Sequence, residues 1–393
     1  MPLSMPKEIK NLKKAARRIL KAIKSKERIV IYTDADLDGV SSAIILEESI
    51  KNLAGGVSVI YFPDREKNGY GINEKALFYL KKHSPALFLA LDCGIGNFKE
   101  VKLAKKLGFE IIIIDHHEIL DGLPEAKIIV DPKQKGDKYP FKGFATAGII
   151  FKLSEALLAE KMTENLRKNF LELTALATIA DMMPKESENL EFINQGLKLL
   201  ENSWRPGIQA LMRVEEFNQH SSLNQKIPKI ISLLNVRDVA PNQEFGAGMP
   251  APFRLLTSTS LEEAKKTVEL LLEKNKVRKE KVRIIVTIVE EKIAKNSTPV
   301  IFEGGSFFEV ELISTSASLI CQKYQKPTFL YKKMEKESQG TVRTPTGIDS
   351  VALMKKCKKY LITYGGHPQA SGFRVKNENL EKFKNCLIKN LGK

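Results

Sequence analysis

Three aspartates spaced two residues apart, Asp34, Asp36 and Asp38, close the strand-like run "IVIYT" at residues 29–33, and Gly39 and a helix-like stretch follow them. Carboxylates this close repel one another, and burying one without a partner is costly, so the pattern asks for a positive partner or a solvated turn. Two later strand-like runs end in the same way. Residues 86–91 run into Asp92 of "DCG", and "EIIII" at 110–114 runs into Asp115, His116 and His117. A lone Asp after a strand is commonly a helix N-cap. Acids at three strand ends together with a His pair read instead as a hard-cation site, in which two ions would neutralise the repulsion. Oxygen ligands with one or two His favour Mn2+, with Mg2+ possible, over a thiolate-seeking zinc. "ATIADMMP" adds Asp181 near the end of an apolar helix.

Acids so far apart in sequence need a scaffold that makes them converge. Strand-like runs at 28–33, 57–62, 86–91 and 110–114 alternate with helix-like segments at 40–53, 72–83 and 97–107. That alternation predicts a parallel α/β sheet with right-handed crossovers, whose carboxyl ends share the edge where such sheets bind ligands. "AKIIVDP" predicts one more strand, ending at Asp131. Apolar helices are expected over 144–161, 165–181 and about 189–201, with a break at "NSWRPG" (202–207), irregular chain over 205–255 and a long charged helix over 261–295. A smaller α/β unit then begins at "STPVIFEGG". The expected division is a basic N-terminal helix within 1–27, with Ile9, Leu12, Ala16, Leu20 and Ile23 on one side, a catalytic domain over 28–200, a helical connector over 201–296 and a second domain over 297–393.

Composition limits the function classes. With 393 residues, 43% hydrophobic and 28% charged, the chain reads as a soluble globular protein of two or three domains. No apolar run approaches the roughly 20 residues of a membrane helix. The basic N-terminus lacks the apolar core of a signal peptide, so a cytoplasmic location is expected. Cys93, Cys321, Cys357 and Cys386 form no CxxC pair, which argues against a zinc knuckle or a disulfide frame and fits a reducing compartment. The net charge of +16 suggests an anionic partner such as nucleic acid, and no protein partner is indicated.

"DADLDGVSSA", "DCGIG", "DHHE" and "TIADMMP", in that order, resemble the four motifs of the DHH phosphoesterase superfamily, and "YGGHPQASGF" (364–373) resembles the GGH motif of the DHH-associated C-terminal domain. "DPKQKGDKYPFKG", "INQGLKLL" and "RPGIQAL" are similar to the RecJ-like branch of single-strand exonucleases. The resemblance implies a parallel-sheet DHH domain joined by a long helix to a smaller α/β domain. It also implies two-manganese hydrolysis of single-stranded nucleic acid, with DNA and 5′-to-3′ polarity favoured and a role in DNA repair and recombination. By motif, the metal ligands would be Asp34, Asp36, Asp38, Asp92, His116 and Asp181, with Asp92 shared between the ions, although Tyr32 stands where some relatives carry a His. Asp115 and His117 would be catalytic, His117 orienting water or the scissile phosphate. Gly365, Gly366 and His367, in a glycine-flanked loop, and Arg343 of "QGTVRTPTG" would bind substrate phosphates.

Two departures stand out. Met249 of "FGAGMPAPFRLL" occupies the place of an Arg in the branch's Ala-Gly-Arg element, with Arg237 or Arg254 as compensating candidates. The chain also runs only about 20 residues past the GGH motif, so an oligonucleotide-binding domain is not expected to follow. The rival readings are a nanoRNase or small-nucleotide phosphodiesterase of the same superfamily, and a non-catalytic replication scaffold.

Overall fold

The computed structural model describes residues 8–64, 69–218, 222–236, 248–295 and 298–391; residues 1–7 of the N-terminal segment and Arg237 lie outside them. The chain packs as two units, Met1–Glu273 and Lys274–Lys393.

The first unit follows the predicted alternation. In chain order its elements are α1 (Leu12–Lys24), β1 (Ile29–Thr33), α2 (Leu37–Asn52), β2 (Val59–Tyr61), α3 (Glu74–Leu80), β3 (Ala86–Leu91), α4 (Phe98–Lys106), β4 (Phe109–Ile114), β5 (Ile128–Val130), α5 (Thr146–Leu158), α6 (Glu164–Ala180) and α7 (Ser187–Leu199). The strands form one parallel sheet in the order β2-β1-β3-β4-β5. Every residue of β1 and β3 is buried, as a parallel sheet covered on both faces requires. Alternate side chains divide between two cores. Ile29 and Ile31 join the cluster that holds α1, α2, α5 and α6, whereas Val30 and Tyr32 join the one that holds α3 and α4. The connection direction reverses at β1, which lies between β2 and β3. That makes the β1–β3 edge the switch point, where α/β sheets open a ligand crevice.

Residues 205–255, expected to be irregular, are largely helical where described: α8 (Pro206–Met212), α9 (Glu215–Asn218), α10 (Leu223–Leu234) and α11 (Ala251–Thr257). Pro228 lies inside α10, and prolines precede or open α8 and α11. The breakers that masked the helical pattern are thus mostly first-turn residues, where a missing N–H costs nothing. The "NSWRPG" break carries a buried anchor. Arg205, 1% exposed, forks onto Glu48 of α2 (2.9 and 2.7 Å) and also donates to the Leu256 carbonyl of α11 (3.2 Å). Beside it, Ser203 donates to Glu172 of α6 at 2.6 Å.

Helix α12 (Leu261–Lys295) crosses the boundary between the units. Its Ala264, Val268 and Leu271 pack in the first unit's core, and Val282, Ile285 and Val289 in a core of the second. The second unit continues with β6 (Ile301–Gly305), α13 (Val310–Tyr324), β7 (Thr328–Lys333), β8 (Glu337–Arg343), α14 (Ser350–Lys356), β9 (Leu361–His367), β10 (Ala370–Lys376) and α15 (Leu380–Asn390). Its sheet runs β6-β7-β8-β10-β9, parallel only between β6 and β7. One expectation is corrected here. Cys357, just after α14, and Cys386, within α15, form a disulfide with Cα atoms 5.9 Å apart, because the two helices pack together across 29 residues of sequence. Cys93 and Cys321 are free and buried. Among the described residues no helix is long and apolar enough to cross a membrane.

Removing one partner of a buried ion pair strands the other charge, so Arg205→Ala is expected to cost the first unit about 3–5 kcal/mol. Urea denaturation checks this, and a loss below about 1 kcal/mol, the range of an exposed pair, would show that the anchor is dispensable.

Candidate metal centre

Asp36, Asp38 and Asp92, at the carboxyl edge of the first sheet, are each held by a local device. Asp36 caps α2, accepting the Gly39 N–H at 3.1 Å. Gly39 itself is required by close approach, since a Cβ there would lie 2.3 Å from the Asp34 carbonyl oxygen. That space lets the first turn of α2 press against the strand end, with the Thr33 hydroxyl donating to the Gly39 carbonyl at 3.0 Å. Asp38, 2% exposed, reaches across to α5 and accepts both the Thr146 N–H (2.7 Å) and the Ala147 N–H (2.8 Å). Asp92, also 2% exposed, accepts from the Thr146 hydroxyl at 3.1 Å. Asp181 follows the last turn of α6, as expected.

His116 joins these acids. Its Nδ1 lies 2.8 Å from the Phe144 carbonyl oxygen, to which only a protonated Nδ1 can donate. The Nε2 therefore faces Asp92 at 3.3 Å, Asp181 at 3.4 Å and Asp38 at 3.8 Å. Burial pushes the imidazole well below its usual range, and His117 and Lys133 push it the same way. The ring is thus neutral and presents a lone pair to three carboxyl groups. Burial also holds the Asp92 carboxyl well above the usual range, reinforced by Asp38, Asp36, Asp181 and Asp115. Asp38 is pushed up to about 7 by burial and then by Asp36, against its two N–H bonds.

Ligand atoms of Asp38, Asp92 and His116 lie within 4.8 Å of one another, as do those of Asp34, Asp36 and Asp92. A neutral imidazole fixed by a carbonyl on its far nitrogen, facing clustered carboxylates, is a donor set that fits divalent cations. The two groups share Asp92, the residue expected to bridge.

Asp115 plays a different part. Burial would raise its carboxyl, but His117 and several N–H groups hold it below the usual range. It accepts the His117 Nδ1–H at 2.7 Å, the His116 and His117 backbone N–H groups and the Ile95 N–H. It thereby fixes the His117 ring.

Sequence reasoning missed four neighbours. Thr146 and the Phe144 carbonyl act through backbone groups and a hydroxyl that leave little trace in a motif. Asp131, fully buried at the end of β5, is pushed up to about 8 by burial and then by Asp115. Tyr70, between two glycines, donates to the Asp92 carbonyl at 2.8 Å.

Gly365, Gly366, His367 and Arg343 belong to the second unit. The loop expected for GGH is corrected: these residues form the end of β9, and His367 pairs with Ala370 across a two-residue turn. Gly366 (φ 129°) approaches the neighbouring strand closely, a Cβ there falling 2.7 Å from the Ser371 Cα. Arg343 is likewise at a strand end, not in a loop, and uses four N–H donors on Ser318 (3.0 Å), Thr341 (3.1 Å), the Val342 carbonyl (2.8 Å) and Ser314 (2.5 Å).

Residues 28–178 match the DHH family, N-terminal domain. The chain is 32% identical over 396 residues to the single-stranded-DNA-specific exonuclease RecJ of Bacillus subtilis, covering 97% of this chain and 48% of that protein. With RecJ of Thermus thermophilus it shares 27% identity, over 96% of this chain and 54% of the relative. The chain thus spans about half the length of these two relatives. Among solved structures it resembles an exonuclease RecJ bound to manganese, with TM-score 0.74, 25% identity and coverage of 99% of this chain and 96% of that one. RecJ of Thermus thermophilus in complex with Mn2+ has the same fold, with TM-score 0.78, 23% identity and coverage of 99% and 55%.

The raised carboxyls give a pH prediction for protein held in chelator. Asp38 ionises near 3.8 when unfolded and about 7 when folded. Between those values the folded state binds the extra proton, so stability is full below the window and falls as pH rises through it. Asp92→Asn is expected to raise the melting temperature at about pH 7.5 by about 2–4 °C and to flatten the decline from about pH 5.5. An unchanged slope with a lower melting temperature would mean that carboxylate repulsion is not what limits the metal-free fold.

Proposed function

We propose, from the DHH-family domain that residues 28–178 form, that this chain hydrolyses phosphodiester bonds of single-stranded nucleic acid with two divalent cations. The carrying observation is the neutral His116, whose Nε2 faces Asp38, Asp92 and Asp181. Asp34, Asp36, Asp38, Asp92, His116 and Asp181 would hold the ions, with Asp92 shared and Mn2+ favoured over Mg2+. When bound, such ions neutralise phosphate charge and lower the pKa of coordinated water.

The chain's own residues do the rest. Asp115 keeps the Nδ1 proton of His117 engaged, leaving Nε2 as the atom at which that ring takes or gives a proton. In the second unit, Arg343 is held by Ser314 and Ser318 of α13, and its positive charge is proposed to attract a substrate phosphate. His367, with Gly365 and Gly366, is proposed to contact a substrate phosphate from the end of β9. DNA as substrate accords with the names of the relatives. A 5′-to-3′ direction, a role in repair and recombination and a cytoplasmic location rest on the motif resemblance alone.

End-labelled strands of about 30 nucleotides, long enough to fill a single-strand groove, should be shortened in Mn2+, and Asp92→Asn should lower the rate at least about a hundredfold. Retention of wild-type turnover by that variant, or cleavage confined to dinucleotides, would defeat the proposal. Binding should weaken with salt by a slope of roughly −0.7 in log K per phosphate contact. A flat response would point to a small-nucleotide substrate.

A further inference from the structure

Asp92 holds its side chain in the acid cluster by an unusual backbone, with φ at 56°. L residues seldom adopt this left-handed region, and where they do the surroundings must hold them there. Two bonds provide that support. The Asp92 N–H donates to the Ile114 carbonyl at 3.0 Å, and the Asp92 carbonyl accepts the Tyr70 hydroxyl at 2.8 Å. The same hydroxyl lies 3.0 Å from Nδ1 and 3.3 Å from Nε2 of His117, with the two rings 5.3 Å apart. One phenol therefore touches both the shared carboxylate's main chain and the neighbouring imidazole.

Core packing does not explain a tyrosine here, because Tyr70 is 46% exposed. Its position is nevertheless determined. Buried Tyr32 donates to the Gly71 carbonyl at 2.8 Å and accepts from Asn73 at 3.1 Å. Asn97 accepts from the Ile72 N–H (3.1 Å) and donates to the Ile72 carbonyl (3.2 Å). These bonds clamp residues 71–73 against the sheet and direct residue 70 at the carboxyl ends of β3 and β4.

Resting on the metal reading above, we infer that Tyr70 is a positioning residue for the metal centre. Its hydroxyl holds the Asp92 backbone, and through it the shared carboxylate. Partners of this kind, one bond removed from the ligands, typically affect metal affinity or activity about 10- to 100-fold. An exposed aromatic beside a nucleic-acid site has another use, as a platform for a base, and that role would need the ring and not the hydroxyl.

Tyr70→Phe and Tyr70→Leu separate the two. Mn2+ binding to the metal-stripped full chain is measured by titration calorimetry, and kcat and KM on single-stranded DNA are measured in parallel. The expected result for Tyr70→Phe is about tenfold weaker Mn2+ binding and about tenfold lower kcat. Its KM should stay near wild type, and Tyr70→Leu should behave similarly. Wild-type Mn2+ affinity in Tyr70→Phe overturns the inference, as does a normal Tyr70→Phe beside a Tyr70→Leu with raised KM, the signature of base stacking. If the wild-type chain itself takes up no Mn2+, it is the metal reading that fails, and the inference falls with it.

Discussion

Repulsion among buried carboxylates is the constraint around which the first unit is organised. Asp38 and Asp92 are almost fully buried within reach of Asp34, Asp36 and Asp181. The fold answers with dipoles and neutral donors. Asp38 takes two N–H groups from the start of α5, Asp36 takes one from α2, and Asp92 takes the Thr146 hydroxyl. Such groups stabilise negative charge without occupying the space a cation would fill. Burial first, and then the residual repulsion, raises the Asp38 and Asp92 carboxyl pKa values, and an ion would relieve the repulsion.

This arrangement explains why the site is assembled from strand ends. A parallel sheet delivers residues about sixty positions apart, such as Asp34 and Asp92, to adjacent points with little conformational freedom. The flanking helices then provide capping groups at fixed places. His116 depends on the same geometry, since the Phe144 carbonyl just before α5 sets its tautomer and so decides which nitrogen faces the acids. α5 thus contributes to the centre through two main-chain N–H groups and the Thr146 hydroxyl, and its residue types carry little sign of that role.

The legible parts of the sequence were those written in side-chain pattern. Ile29–Thr33 and Ala86–Leu91 are buried on both faces, so continuous apolar runs marked them, and the acids that follow are too polar to belong to the runs. The illegible parts depend on partners remote in sequence or on backbone. Pro206 and Pro228 hid α8 and α10, and the Cys357–Cys386 link depends on how α14 meets α15. The paired glycines of residues 365–366 suggested a loop, whereas they allow β9 to lie close against β10. Tyr70 falls between two glycines, and only the clamp from Tyr32 and Asn97 reveals it as fixed.

Every acid of the cluster, with His116, lies between residues 34 and 181, and the unit that contains them ends at Glu273. Chains emerge from the ribosome N-terminus first, and domains generally fold as units in that order. The residues of the carboxylate cluster are therefore all synthesised before the 120 residues of the second unit. During that interval burial and the neighbouring acids favour the protonated forms of Asp38 and Asp92. On the metal reading proposed above, cation supply at the time of translation would bear on the yield of folded protein as well as on turnover.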